Sequence, residues 1–190
     1  GADATRWYFY TTSAPWLPSR FHADAVSESQ RKFMGTLWNT YAFFILYAEI
    51  DKFNPSEHKL EDQKLTIMDR WILSCLNSLI KTVDEGLDQY KITETSRAIA
   101  EFVDNLSNWY VRRSRERFWG SEMSKSKEAA YTTLYTVLST LSKILAPYTP
   151  FMAESIYRNL VPQFFADAPI SVHLCAFPKC DESMIDTELE

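Results

Sequence analysis

Between Asn108 and Trp119 the sequence runs Asn-Trp-Tyr-Val-Arg-Arg-Ser-Arg-Glu-Arg-Phe-Trp, which sets four arginines among large aromatic side chains. Guanidinium forks fit phosphate oxygens, and aromatic faces stack on unpaired bases. The same residues also suit a structural helix end, where cations complement the dipole and aromatics fill a core. Charge distribution keeps an anionic partner open. The chain of 190 residues carries a net −5, yet Arg112 to Lys127 holds six basic and two acidic residues, which leaves −9 for everything else. Docking responds to such local fields more than to the total.

Helical phase divides the four arginines. At about 100° per residue, Trp109, Tyr110, Arg113 and Arg117 share the side of Ile99, Phe102, Val103 and Leu106, the side that faces a core. Arg112 and Arg115 point nearly opposite, beside Asn105 and Asn108. Arg113 and Arg117 are therefore expected to pair with acids or backbone carbonyls inside the protein. Arg112 and Arg115, with Asn108, Lys125 and Lys127, are the candidates for RNA contact. The division requires the helix to continue to Arg117.

Other chemistry is sparse. The four glycines, at 1, 35, 86 and 120, are too far apart to build a phosphate-cradling loop. No Glu precedes a His by three positions, which excludes the carboxylate-bridged metal pair of helix bundles. His173, Cys175 and Cys180 match no standard zinc spacing and have no evident fourth ligand. Three isolated histidines leave little for a nucleophile–base dyad. No catalytic, cofactor or metal residue is assigned. Met123-Ser124-Lys125-Ser126 resembles the lysine-rich ATP loop of class I aminoacyl-tRNA synthetases, but Glu122 stands where the leading lysine belongs, so a solvated loop is the expectation.

The elements that position these residues read as helices. Ile72, Leu76, Leu79, Val83, Leu87 and Tyr90 form one apolar stripe, and Ala130, Leu134, Val137, Leu141 and Leu145 form another. Phe33 to Ile50 is apolar nearly all round, which predicts a central helix contacted on several sides. Ser27 with Gln30, and Thr66 with Asp69, read as capping pairs. Thr149 before Pro150 reads as an N-cap, and the preceding helix should stop near Ala146 because Pro147 cannot continue the ladder. Ile170 to Leu174 is short and β-prone. The fold expected is all-α: an up-and-down antiparallel helix bundle with a short N-terminal helix and an irregular, partly extended C-terminal tail. Residues 1–22 form a connecting helix and loop, 23–161 the bundle, and 162–190 the tail. Three cysteines form no even disulfide framework, no apolar run is long enough to span a membrane, and no signal peptide opens the chain; a cytoplasmic, monomeric domain is expected.

With these stretches in hand, the chain resembles the anticodon-binding helical domain of the class Ia aminoacyl-tRNA synthetases. The resemblance begins at Gly1 to Tyr8 and continues through Thr11 to Trp16 and Arg20-Phe21. Arg31-Lys32-Phe33 and Thr36 to Phe44 favour the isoleucyl branch over the valyl one. Asn108 to Trp119, Leu145 to Phe151 with Glu154, and Ser171 to Leu174 with Pro178 extend it over essentially the whole chain. The family implies a parent enzyme that uses ATP and Mg2+ to esterify isoleucine to its tRNA, with catalytic and editing domains upstream and none of that chemistry in this fragment. The partners it implies are tRNA and those domains. The alternatives are the same domain of a valyl, leucyl or methionyl enzyme, or a helical protein-interaction module with no RNA role.

Overall fold

The longest helix starts where Thr66 and Asp69 meet. Thr66 Oγ1 accepts the Asp69 backbone N–H at 3.3 Å, and the Asp69 carboxylate accepts the Thr66 N–H at 2.8 Å, which satisfies two free amides of the first turn. In the computed structural model, which describes residues 1–190, this helix is one of eight and there is no strand. In chain order they are α1 (Ala2–Thr12), α2 (Ala23–Ser29), α3 (Gly35–Asp51), α4 (Ile67–Asp88), α5 (Ile92–Asn105), α6 (Arg112–Trp119), α7 (Lys125–Leu145) and α8 (Pro150–Leu160). Two π-helical segments, Gln30–Met34 and Leu106–Val111, join α2 to α3 and α5 to α6 without a break. No helix is long and apolar enough to cross a membrane.

The stripes become the core. Ile72, Leu76, Leu79 and Val83 of α4, Ile99, Phe102 and Val103 of α5, and Ala130, Leu134, Val137, Leu141 and Leu145 of α7 are all buried. The short turn between α4 and α5 makes the two antiparallel neighbours. Tyr90, expected at the end of the α4 stripe, instead takes a left-handed backbone (φ 58°) in that turn and is exposed. The pair closes tightly at Gly86, where a β-carbon would lie 2.3 Å from Thr95 Cγ2. Thr95 Oγ1 also accepts the Tyr148 hydroxyl at 2.7 Å.

Helix α1 is tied to the bundle through Asp3, Arg6 and Trp7. Trp7 stacks on Phe33 with ring centroids 3.6 Å apart. Arg6 donates to the carbonyls of Pro147 and Tyr148, beyond the end of α7. The Asp3 carboxylate accepts the backbone N–H groups of Phe151 and Met152 at the start of α8. This last contact corrects an expectation. Pro150 does open α8, but the Thr149 side chain caps nothing and its buried Oγ1 has no partner. The free amides are already taken by Asp3.

Three further expectations change. Ser27 lies inside α2, which starts after His22, so it caps no helix. Helix α3 is not enclosed: Leu37, Tyr41 and Phe44 are buried, while Trp38, Leu46 and Ile50 are exposed on the other side. Ile170 to Leu174 forms no strand, because its polar groups are committed elsewhere. Glu154 of α8 accepts both the Ser171 hydroxyl and the Val172 N–H, and Val172–Leu174 closes as a 3-10 turn with Val172 in the core. The tail then runs back along α4, held by Asp181 N–H on Asn77, Asp186 N–H on Ser74, and Lys81 with Glu182. Helix α7 stops at Leu145 with Ala146 as its C-cap, as Pro147 requires.

Candidate nucleic-acid interface

The arginine-rich segment lies on one continuous rod made of α5, the second π segment and α6. Asn108, Arg112 and Arg115 are exposed on it. The Asn108 amide donates to Asp104 Oδ1 at 2.7 Å, across one helical turn. Lys125 is exposed in the first turn of α7.

Arg113 departs from the expectation. It is exposed and makes no internal ion pair; its guanidinium lies 4.4 Å from the ring centroid of Trp109, itself 48% exposed. The cause is the π segment. Its i to i+5 bonding uses an extra residue in the turn, so the buried face advances from Tyr110 to Ser114 and Phe118. Arg113, in phase for an unbroken α-helix, is thereby rotated out of the buried face.

Arg117 sits at the edge of that buried face and reaches back to α4. Its Nη1 and Nη2 donate to Asp69 Oδ1 and Oδ2 at 2.8 and 2.9 Å, a two-point charge-assisted contact. Its Nε and Nη2 also donate to the Ser126 carbonyl. Asp69 is fully buried and accepts the Tyr110 hydroxyl at 2.7 Å as well. Burial alone would push the Asp69 carboxyl up, but hydrogen bonds from Arg117, Tyr110 and Thr66 outweigh it and hold the group below the usual carboxylate range. Burial and the Asp69 charge together push the Tyr110 hydroxyl well up, so it stays a donor.

Lys127 is not available to RNA, contrary to expectation. It is 2% exposed, with Nζ 2.5 Å from Asp51 Oδ2 and 2.6 Å from the Gly120 carbonyl. A buried ammonium needs such partners, and Tyr131 donates to the same carboxylate. Neither Asp51 nor Asp69 stood out as a partner in the sequence. The only local sign was Asp69 in a capping pair, which accounts for one of its bonds but not for the arginine.

Residues 69–190 match the family described as the anticodon-binding domain of tRNA ligase. The chain belongs to that family. Over its full length this anticodon-binding domain is 60% identical to isoleucine–tRNA ligase of Clostridium novyi (strain NT), of which it covers 18%. It is 53% identical to isoleucine–tRNA ligase of Dehalococcoides mccartyi (strain CBDB1), of which it covers 19%. The domain thus spans about a fifth of the length of these relatives. Its fold is that of a LeuRS from Agrobacterium radiobacter K84, solved as a ternary complex with tRNA and LeuAMS: the TM-score is 0.71 over 98% of this chain and 20% of that one, at 18% identity. In the domain the Met123–Ser126 stretch is the entry to α7, with Ser124 Oγ accepting the Lys127 N–H at 3.2 Å. Ser124 is thus a helix cap, and Lys125 and Ser126 belong to the first turn.

Proposed function

We propose that this domain holds tRNA, and the isoleucine-accepting tRNA in particular, for ATP-dependent attachment of isoleucine by a catalytic domain of the same polypeptide. The observation that supports it most is the identity with isoleucine–tRNA ligases along every part of the chain. The physical design suits the task. A closely packed bundle resists bending, and the exposed Arg112, Arg113 and Arg115 give its arginine-rich rod a cationic surface. Binding remote from the reaction helps by fixing where the acceptor end arrives. Catalytic and editing domains upstream carry the chemistry and use the ATP and Mg2+. Residues 1–22 connect to them, 23–161 form the tRNA platform, and 162–190 lead to further domains. The enzyme works in the cytoplasm.

The test uses the full-length ligase carrying Arg112→Ala and Arg115→Ala, with binding to isoleucine tRNA followed across salt concentrations. Each lost phosphate contact lowers the log–log slope by about 0.7 to 0.9. A folded double variant with the wild-type slope would remove these arginines from the interface. A wild-type enzyme that charges valine or leucine tRNA in preference to isoleucine tRNA would overturn the amino-acid assignment.

A further inference from the structure

The first turns of α1 set two side chains of opposite charge, Asp3 and Arg6, on the turn that joins α7 to α8. The buried Asp3 carboxylate accepts the Phe151 N–H at 3.4 Å and the Met152 N–H at 2.8 Å. Arg6 Nε and Nη2 donate to the Tyr148 and Pro147 carbonyls at 3.2 and 2.8 Å. The anion thus sits on the start of one helix and the cation just past the end of another, the polarity that each helix end favours. The far end of α1 is held by α5. Ser96 Oγ donates to the Tyr10 carbonyl, Arg97 to the carbonyls of Thr11 and Thr12, and Thr93 Oγ1 to that of Ser13.

We propose that Asp3 and Arg6 are positioning residues: they fix the angle between α1 and the bundle, and with it the place where a tRNA held on the bundle presents its acceptor end. Ala4, Trp7 and Tyr8 are buried and already hold α1 against the bundle. Apolar contact of that kind is non-directional and sets the angle only loosely. Hydrogen bonds add little net stability, because each replaces one made to water. They are directional, however, so what Asp3 and Arg6 contribute is orientation. The rod gives the angle its leverage. It is tied to α1 at Ser96 and Arg97, and Arg115 lies 18 residues beyond Arg97, which is about 27 Å at a rise of about 1.5 Å per residue. A tilt of about 10° at the tie would move Arg115 by about 5 Å over that length. Misplacement of reacting groups by about 1 Å is enough to cost about a hundredfold in rate. This assignment rests on the tRNA reading of the domain, with α1 as the link to the catalytic domain, and names the residues that set the joint.

The experiment compares Asp3→Ala and Arg6→Met, with the conservative Asp3→Asn and Arg6→Lys, against wild type in the full-length protein. Three quantities are measured: isoleucine-dependent pyrophosphate exchange, which needs no tRNA, and the KM and kcat for charging isoleucine tRNA. Asp3→Ala and Arg6→Met should each lower kcat by about tenfold, with exchange and KM within about twofold of wild type. Asp3→Asn keeps an acceptor and Arg6→Lys a donor, so each should recover much of that loss and fall only about threefold in kcat. Melting curves identify any variant that does not fold, and the conservative pair then decides by the same criteria. Folded variants with wild-type kcat overturn the positioning role, as does a loss confined to KM or shared by the exchange reaction, and both results leave the tRNA platform standing. A wild-type protein that does not charge isoleucine tRNA overturns the tRNA reading as well.

Discussion

Arg117 and Asp69 make a two-point ion pair, at 2.8 and 2.9 Å, that ties the last turn of the arginine-rich rod to the first turn of α4. Both residues serve the start of a helix as well. Asp69 completes the cap with Thr66, and Arg117 binds the Ser126 carbonyl in the first turn of α7. The rod and α4 therefore meet at one buried carboxylate, α7 joins them through Arg117, and the exposed arginines project from the same rod that this contact anchors.

Removing one partner should cost more than removing both. Arg117→Met leaves the buried Asp69 charge with only neutral donors, which costs about 3 kcal/mol. For a domain of this size that corresponds to a melting temperature lower by roughly 6–12 °C. Asp69→Leu combined with Arg117→Met should recover part of the loss, because no unpaired charge remains. Thermal melting of both single variants and the double one checks this, and a double variant whose loss equals the sum of the two single losses would mean that the residues act independently.

The same contact sets an acid limit. The folded-state pKa of Asp69 lies below its ordinary value of 3.8. Its stabilisation is therefore complete above that ordinary value and disappears as the pH falls through the folded one. The stability advantage of the wild type over Asp69→Asn should be flat from neutral pH down to about pH 5. It should then shrink below about pH 4, as chemical denaturation at each pH would show. An advantage that grew in acid would place the folded pKa above the ordinary one.

The contact between α4 and α5 offers a steric test. At Gly86 an added methyl meets Thr95 Cγ2 at 2.3 Å. Thr95 cannot rotate away easily, because its hydroxyl donates to Lys91 and Ile92 carbonyls and accepts from Tyr148, and its χ1 is restricted by branching. Gly86→Ala should cost about 1–3 kcal/mol despite the higher helix propensity of alanine. Adding Thr95→Ser removes the methyl in the way and keeps the hydroxyl, and should restore most of the stability in a denaturant titration.

What could be read in the sequence and what could not divides along the distance over which each interaction acts. The apolar stripes of α4 and α7, the Thr66–Asp69 cap and the stop at Pro147 depend on spacing within a few turns, and the structure has them. Lys127 depends on Asp51, at the end of a helix four places earlier in the chain, and nothing near Lys127 announces that partner. Thr149 had the composition of a cap, but Asp3, from the other end of the chain, occupies the amides first. Arg113 failed for a subtler reason. The phase count was continuous, whereas the π segment between Leu106 and Val111 adds a residue to the turn and moves every later position. Arg112 and Arg115 remain exposed under either count, and Arg117 still reaches Asp69 because a long side chain spans the shift.

Arg113 therefore becomes a test of that phase shift itself. In an unbroken α-helix it would face the core, and Arg113→Ala would leave a buried acid or carbonyl without its donor. In this structure the side chain is exposed and stacked on Trp109. Its loss should cost no more than about 0.5–1 kcal/mol of stability, the value of an exposed cation–π contact. In the full-length protein the same variant should weaken tRNA binding and lower the salt slope, as Arg112→Ala should, because both guanidinium groups are then exposed to the polyanion. A large drop in melting temperature with unchanged tRNA affinity would mean that the segment from Leu106 to Val111 keeps ordinary α-helical phase in solution.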